Sequence, residues 1–315
     1  GKTSSVIGTR TRMPGGIEVA QEREMASTSA QTSTMDIVDV TGSLNSNWRA
    51  LAQIERGHLQ KHDGTTIRRT SNAFGLGYVE TDKATGRDSL RTLSKFELRS
   101  DDGDHRQRQW LVYNSIEARP DSDLVLSASL ELSQTEDLKT RRTAATYTEL
   151  VLGIAFRPVD WDDLNLLGKY TYLADEGPSG QRNITDIENE RSHTLAGEMI
   201  YDLTDRWQLV SKLAFKVGDE QVSGFDRTRM ERLLVAQRVN YRFHDQWRLG
   251  VEYRRLTVLQ AEDVRQGALV EISRTIGDHL DLGIGYNFTD FNDDLTRLNY
   301  TSHGPYIRMT AILFH

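Results

Sequence analysis

The sequence lacks cysteine entirely and has only five prolines among its 315 residues. The absence of cysteine excludes disulfides, thiolate metal sites and a cysteine nucleophile. No apolar run approaches the roughly 18 residues that a membrane helix requires. The longest clear run is Leu150–Phe156. Membrane helices are therefore excluded, whereas membrane β-strands are not, because such a strand needs only about 9–11 residues with half of them apolar.

Charged residues of both signs are abundant. The chain has 39 Lys and Arg residues against 46 Asp and Glu residues, a net charge of -7. No basic stripe with interleaved aromatic residues is present, so the sequence predicts no nucleic-acid partner. No phosphate-binding loop or nucleotide fingerprint occurs, and we predict no cofactor. The first residues do not read as a secretory signal, so for an exported protein we expect a processed or truncated chain.

Short polar turns recur along the chain, and each is followed at once by Trp or Leu and an alternating run. Six of them are Asn45–Trp48, Pro120–Leu124, Trp161–Leu164, Thr204–Trp207, His244–Trp247 and Gly277–Leu280. Alternation with a period of two is typical of a β-strand with two unlike faces. The repeated combination of turn and strand indicates a series of β-hairpins.

The two faces of the predicted strands differ in an unusual way. In the run 280–290, Leu280, Leu282 and Ile284 alternate with Asp281, Gly283 and Gly285. Several other runs alternate apolar residues with charged ones. A soluble sheet buries its apolar face against a protein core and leaves its polar face in water. A sheet that is apolar outside and polar inside is a barrel in lipid.

We therefore predict an all-β fold, a transmembrane antiparallel up-and-down β-barrel of about 16 strands (14–18), in the bacterial outer membrane. Residues 15–315 are assigned to this barrel, with the lipid bilayer as its partner. Residues 1–14, which include Lys2, Arg10 and Arg12 and have little apolar content, are expected to form a tail or linker.

The tryptophans support this interpretation. The four that lie in or just after proposed short periplasmic turns are Trp48, Trp161, Trp207 and Trp247. Together they predict an aromatic girdle at one membrane interface. The alternative is that each Trp simply opens a strand of a soluble sandwich.

The charged residues on the other face are the candidate functional residues. The predicted lumen-lining residues are Arg119, Glu131, Glu149, Arg157, Lys169, Glu198, Lys212, Lys216, Arg238, Arg242, Arg248, Glu252, Arg254, Glu271 and Asp281. Two interpretations stay open. The charges select ions in an aqueous channel, or they neutralise one another across the barrel wall.

The sequence offers little sign of catalysis or metal binding. His303 follows Ser302 directly, but adjacent residues of a strand point to opposite faces, so we predict no enzyme activity and no catalytic residue. The loop with Asp290, Asn292, Asp293 and Asp294 is rich in oxygen ligands that suit a hard cation. The pattern favours an ordinary solvated acidic loop over a cation site, and we predict no metal site.

The chain resembles the C-terminal β-barrel domains of large bacterial outer-membrane and surface proteins. The resemblance lies in Trp247–Arg254, Gly267–Glu271 and Leu282–Phe291, followed by Asp293–Thr296. It implies a membrane anchor or conduit at the end of a larger exported protein. It also implies the outer-membrane assembly machinery as a partner, and a periplasmic or extracellular domain or partner protein. The alternative is a stand-alone porin for small solutes or ions.

Overall fold

The computed structural model describes residues 3–28, 31–103, 106–177, 187–222, 225–277, 280–289 and 303–311. These residues form seventeen strands: β1 (Thr3–Met13), β2 (Ile17–Ser27), β3 (Gln31–Ser43), β4 (Trp48–Lys61), β5 (Thr66–Thr81), β6 (Asp88–Gly103), β7 (Gln107–Ala118), β8 (Leu124–Asp137), β9 (Arg142–Phe156), β10 (Leu164–Glu176), β11 (Ile187–Thr204), β12 (Trp207–Val222), β13 (Thr228–His244), β14 (Trp247–Val258), β15 (Asp263–Ile276), β16 (Leu280–Asn287) and β17 (Gly304–Ala311). Among the described residues, no helix is long and apolar enough to cross a membrane.

The chain divides into two compact units. The first comprises Gly1–Pro120, Ser127–Val151 and Leu173–Glu190, and the second comprises Asp121–Leu126, Leu152–Tyr172 and Arg191–His315. In the first unit, consecutive strands pair antiparallel from β1–β2 to β6–β7. In the second unit, consecutive strands pair antiparallel from β12–β13 to β16–β17. This is the predicted up-and-down order, and each predicted strand overlaps an observed one.

The segment 1–14 differs from its prediction as a tail or linker, because Thr3–Met13 forms the additional strand β1. This strand pairs with β2 along its whole length, from Thr3 opposite Ser27 to Met13 opposite Ile17. The turn between them contains Gly15 and Gly16 with φ of 84° and 74°, which glycine adopts without strain. Main-chain pairing therefore forms this strand although its side chains are all exposed. The extent of the barrel domain itself stays a prediction.

The turns are closed by one recurring device. The side-chain oxygen of the first turn residue accepts the backbone N–H groups two and three positions later. Asn45 Oδ1 accepts from Asn47 and Trp48, both at 2.9 Å, and Asp121 Oδ1 accepts from Asp123 and Leu124 at the same distance. Thr204 Oγ1 accepts from Arg206 and Trp207 at 3.3 and 3.1 Å. The turn residue thus fixes the amide of the Trp or Leu that opens the next strand.

The same device affects a carboxyl group in a turn outside the strands. At the β5–β6 turn, the pKa of Asp82 is lowered by hydrogen bonds from the Ala84 amide and the Thr85 hydroxyl. This carboxylate is therefore held in the ionised form that accepts these bonds. Asp137, the last residue of β8, likewise accepts the backbone N–H groups of Lys139 and Thr140 at 2.8 and 2.9 Å.

Burial confirms the unusual sidedness of the strands. Large apolar side chains are exposed, among them Ile284 at 63%, Leu213 at 56% and Phe74 at 57%. Charged and polar side chains are buried on the opposite face, including Glu271 at 3% and Ser71 at 3%. A water-soluble domain has the reverse arrangement. We call these two sides of the strands the apolar face and the polar face.

Candidate functional site

The polar face of the second unit contains a hydrogen-bonded charge network centred on Glu271 of β15. Its carboxylate accepts hydrogen bonds from Arg238 Nη2 at 3.0 Å and from Tyr306 Oη at 2.9 Å. Arg308 binds both carboxylate oxygens, with Nη2 at 3.0 Å and Nε at 3.1 Å. A buried carboxylate needs such donors, because burial without them would strongly disfavour its charge.

Glycines on neighbouring strands make room for this network. A Cβ added to Gly283 would lie 3.1 Å from Glu271 Cδ, and one added to Gly285 would lie 2.6 Å from the Tyr306 ring. On β14, a Cβ at Gly250 would lie 2.6 Å from Arg238 Nη2. The long side chains therefore lie across the glycine positions of adjacent strands.

The network continues along both sides of Glu271. Arg308 also binds Asp281 at 2.8 Å, and Arg254 contacts Glu252. Arg238 lies 3.7 Å from Glu252 and donates to Asn240 at 2.9 Å. Seven predicted lumen residues lie on this polar face of β13 to β16, and the structure brings five of them together: Arg238, Glu252, Arg254, Glu271 and Asp281.

Arg242, Arg248 and Lys212 lie on the same face outside the network. Residues directly opposite in an antiparallel pair share a face, and Lys212 is opposite Ala236, which is opposite Arg254. Arg242 is opposite Arg248. None of the three has an ion-pair partner among the described residues.

The first unit has a polar network that the sequence analysis missed. Glu97 is 8% exposed, accepts the Ser71 hydroxyl at 2.8 Å and pairs with Arg99 at 2.9 Å and Lys95 at 3.3 Å. Arg69 and Asp101 form a further pair at 2.7 Å. The alternation in β5 and β6 contained this signal, but the stretch has few turn residues to fix its phase.

The remaining predicted lumen residues fall into two groups. Arg119 and Arg157 lie beyond strand ends, where they pair with Glu117 at 2.9 Å and Asp162 at 3.0 Å. The others lie within strands. Glu149 accepts the Tyr147 hydroxyl at 3.1 Å. By alternation, three more lie on the same side of their strand as a buried polar residue: Glu131 with Thr135, Lys169 with Asp175, and Glu198 with Ser192. Lys216 is itself buried, at 7% exposed. That they line a lumen stays a prediction.

Each of the four predicted girdle tryptophans contacts an aromatic ring of a nearby segment. Trp48 lies 4.9 Å from Tyr78, and Trp207 stacks on Tyr241 at 4.4 Å between ring centroids. Trp161 meets Tyr201 at 6.0 Å. Trp247 meets Phe243 at 6.4 Å and the Arg274 guanidinium at 5.4 Å. These aromatic contacts lie at the short-turn ends of the strands, and the girdle at a membrane interface stays a prediction.

The candidates for other chemistry lie mostly outside the described residues. Ser302 and the loop residues Asp290, Asn292, Asp293 and Asp294 lie outside the described residues. His303 is exposed and lies 3.5 Å from the Tyr286 hydroxyl. Within the described ranges, no group of three or more His, Asp or Glu side chains is arranged to hold a metal ion.

Comparison with solved structures matches this architecture over nearly the whole chain. The siderophore receptor PirA from Pseudomonas aeruginosa is 9% identical, with 99% of this chain and 77% of that one covered and a TM-score of 0.53. The copper transporter OprC is 10% identical, with coverages of 98% and 64% and a TM-score of 0.53. The FrpB iron transporter from Neisseria meningitidis is 8% identical, with coverages of 91% and 60% and a TM-score of 0.54.

The chain has the fold of the bacterial outer-membrane β-barrels. The predicted fold class is thus confirmed, and so is the predicted location in the outer membrane, where the apolar face of the barrel contacts lipid. No protein-family model matches the sequence. No curated protein matches it either. The chain spans about two thirds of the length of OprC and FrpB, at 64% and 60%.

Proposed function

We propose that this outer-membrane barrel is a membrane anchor and aqueous conduit at the C-terminal end of a larger exported protein. The observation that carries the proposal is the polar face, where charged side chains are solvated by one another and by polar neighbours around Glu271 and Glu97. In a barrel whose apolar face meets lipid, such a face borders a polar lumen. The similar solved structures named above are a siderophore receptor and metal transporters. We therefore also propose that the solute is small and charged.

The conduit role is tested by recording planar bilayers that contain the purified, refolded chain. We expect ohmic single-channel steps, because a water-lined lumen conducts in proportion to voltage. A heat-denatured sample of the same preparation is the control. Bilayers that contain folded protein yet stay silent at all voltages would rule out the conduit and leave the anchor.

The second candidate is a stand-alone porin for passive diffusion of small solutes or ions. Arg242, Arg248 and Lys212 favour it, because charges without an ion-pair partner are those that act on a passing ion. The coding sequence upstream of Gly1 separates the candidates. Several hundred preceding codons support the larger exported protein, and a signal peptide directly before Gly1 supports the porin. The assembly-machinery partner and the absence of enzyme activity stay predictions.

A further inference from the structure

We infer that Arg242 and Arg248 form a binding site for a small oxyanion of the carboxylate or phosphate class. The site lies on the polar face of the second unit, near the short-turn ends of β13 and β14. The inference rests on the proposed function in one respect, since it takes the polar face to be reached by water.

The first observation is the register of the two strands. Arg242 and Arg248 are directly opposite each other and share a face. Side chains in that position have Cβ atoms about 4.5–5.5 Å apart, and like charges there repel. Two guanidinium groups so placed repel each other, and an anion between them would offset that repulsion.

The second observation is that the arginines of the network around Glu271 are paired with carboxylates, whereas Arg242 and Arg248 are not. Arg238 and Arg308 share Glu271, and Arg254 contacts Glu252. Neither Arg242 nor Arg248 has a carboxylate partner among the described residues. Glu271 is already occupied by three donors, and Asp281 is bound by Arg308 through Oδ2. Within the described ranges, no carboxylate is therefore paired with either arginine.

The third observation is a serine beside the pair. Ser273 is directly opposite Arg248 on the same face and is 3% exposed. Two guanidinium groups and a hydroxyl are the donor set that recognises the oxygens of a carboxylate or phosphate, and the guanidinium fork binds them in a bidentate manner.

The test uses the full refolded chain in detergent micelles with inorganic phosphate as the probe. Binding is measured by broadening of the phosphate ³¹P resonance during titration. We expect saturable binding by the natural sequence, and about tenfold or greater weakening in Arg242→Gln with Arg248→Gln, because each removed contact is a hydrogen bond to a charged group. Ser273→Ala should weaken binding by a smaller factor.

A matched control variant removes the same kind of charge from the other face. Arg255 lies on β14, on the side of the exposed Tyr253, and is itself exposed. Arg255→Gln should leave phosphate binding unchanged. Arg242→Lys with Arg248→Lys keeps both charges and should retain part of the binding, which separates loss of the site from loss of the fold.

The outcomes separate this inference from the proposed conduit. Unsaturable broadening in the natural sequence, or equal affinity in the Gln double variant, overturns the anion site. Bilayer recordings on the same preparations test the conduit independently. Conductance without phosphate binding would contradict the anion site and support the conduit. Phosphate binding without conductance would support the anion site and contradict the conduit.

Discussion

Tyr306 donates a hydrogen bond of 2.9 Å to Glu271, although their strands β17 and β15 are separated by β16. The contact is possible because Gly283 and Gly285 of β16 have no side chains on the polar face. The last described strand is thus held by its main-chain pairing with β16 and also by side chains that reach past it. Arg308 makes the same connection to Glu271 at 3.0 Å.

Replacing Gly285 by alanine should destabilise the barrel. The new Cβ would lie 2.6 Å from the Tyr306 ring and 2.6 Å from the backbone oxygen of Val270, and the latter cannot move aside as a side chain can. We expect a lower midpoint of denaturant unfolding in micelles, followed by tryptophan fluorescence. Overpacking of this kind typically costs about 1–3 kcal/mol.

The matched control for this substitution is Gly42→Ala. A Cβ there meets Ile17 at 3.6 Å, an ordinary contact distance. Gly42→Ala should therefore leave the midpoint nearly unchanged. Equal midpoints for the two variants would show that Tyr306 does not lie over Gly285.

Replacing Glu271 by glutamine should destabilise the barrel and loosen β17. The neutral amide removes the charge that Arg238, Arg308 and Tyr306 bind together. Because the side chains of Arg238 and Arg308 are 24% and 36% exposed, solvent screens part of the loss. We expect about 1–3 kcal/mol.

The measurement is the same unfolding experiment, with hydrogen exchange of the β17 amides as a local readout. Glu80→Gln is the control, since Glu80 is an exposed carboxylate on β5. Unchanged protection of β17 in Glu271→Gln would mean that the side-chain network does not hold this strand.

Introducing arginine on the apolar face should impair assembly far more than on the polar face. Ile284 is 63% exposed on the apolar face of β16, whereas Thr275 is opposite Asp281 on the polar face. Arginine at the bilayer midplane costs about 2–4 kcal/mol. Ile284→Arg should therefore reduce the folded fraction in lipid vesicles, as seen by heat-modifiable migration in gels. Thr275→Arg should fold normally, and equal yields would contradict the sidedness of β16.

Tryptophan depth tests the position of the membrane along the strands. Trp207 opens β12 beside Tyr241, and Leu213, 56% exposed, lies six residues further along. At about 3.4 Å per residue this separates them by roughly 20 Å along the strand. A variant whose single tryptophan is Trp207 should be quenched best by lipids brominated near the headgroup. When that tryptophan is moved to position 213 (Leu213→Trp, Trp207→Phe), it should be quenched best by lipids brominated near the ends of their acyl chains. Identical quenching profiles for the two variants would exclude the placement of Trp207 at the interface and Leu213 near the midplane.

The sequence by itself determined the strand order and the sidedness of this protein. These features are local, because alternation fixes which face a residue such as Ile284 occupies and turn residues such as Asn45 and Thr204 fix where strands begin. Strand β1 is not evident from the sequence, because it forms by main-chain pairing and its few apolar side chains give no pattern. The Glu97 network is not evident for a different reason, since the stretch of β5 and β6 has few turn residues to fix the phase of its alternation.

Only the tertiary structure decided which charges are paired and which are not. The partners of Glu271 lie 33 and 37 residues away in the chain, and their meeting depends on strand register and on the glycines of the strand between. Register likewise put Arg242 opposite Arg248, and Trp207 on Tyr241. Alternation tells which face a side chain lies on, but it contains no information on the neighbour across the strand, because that neighbour is fixed by pairing between segments distant in sequence.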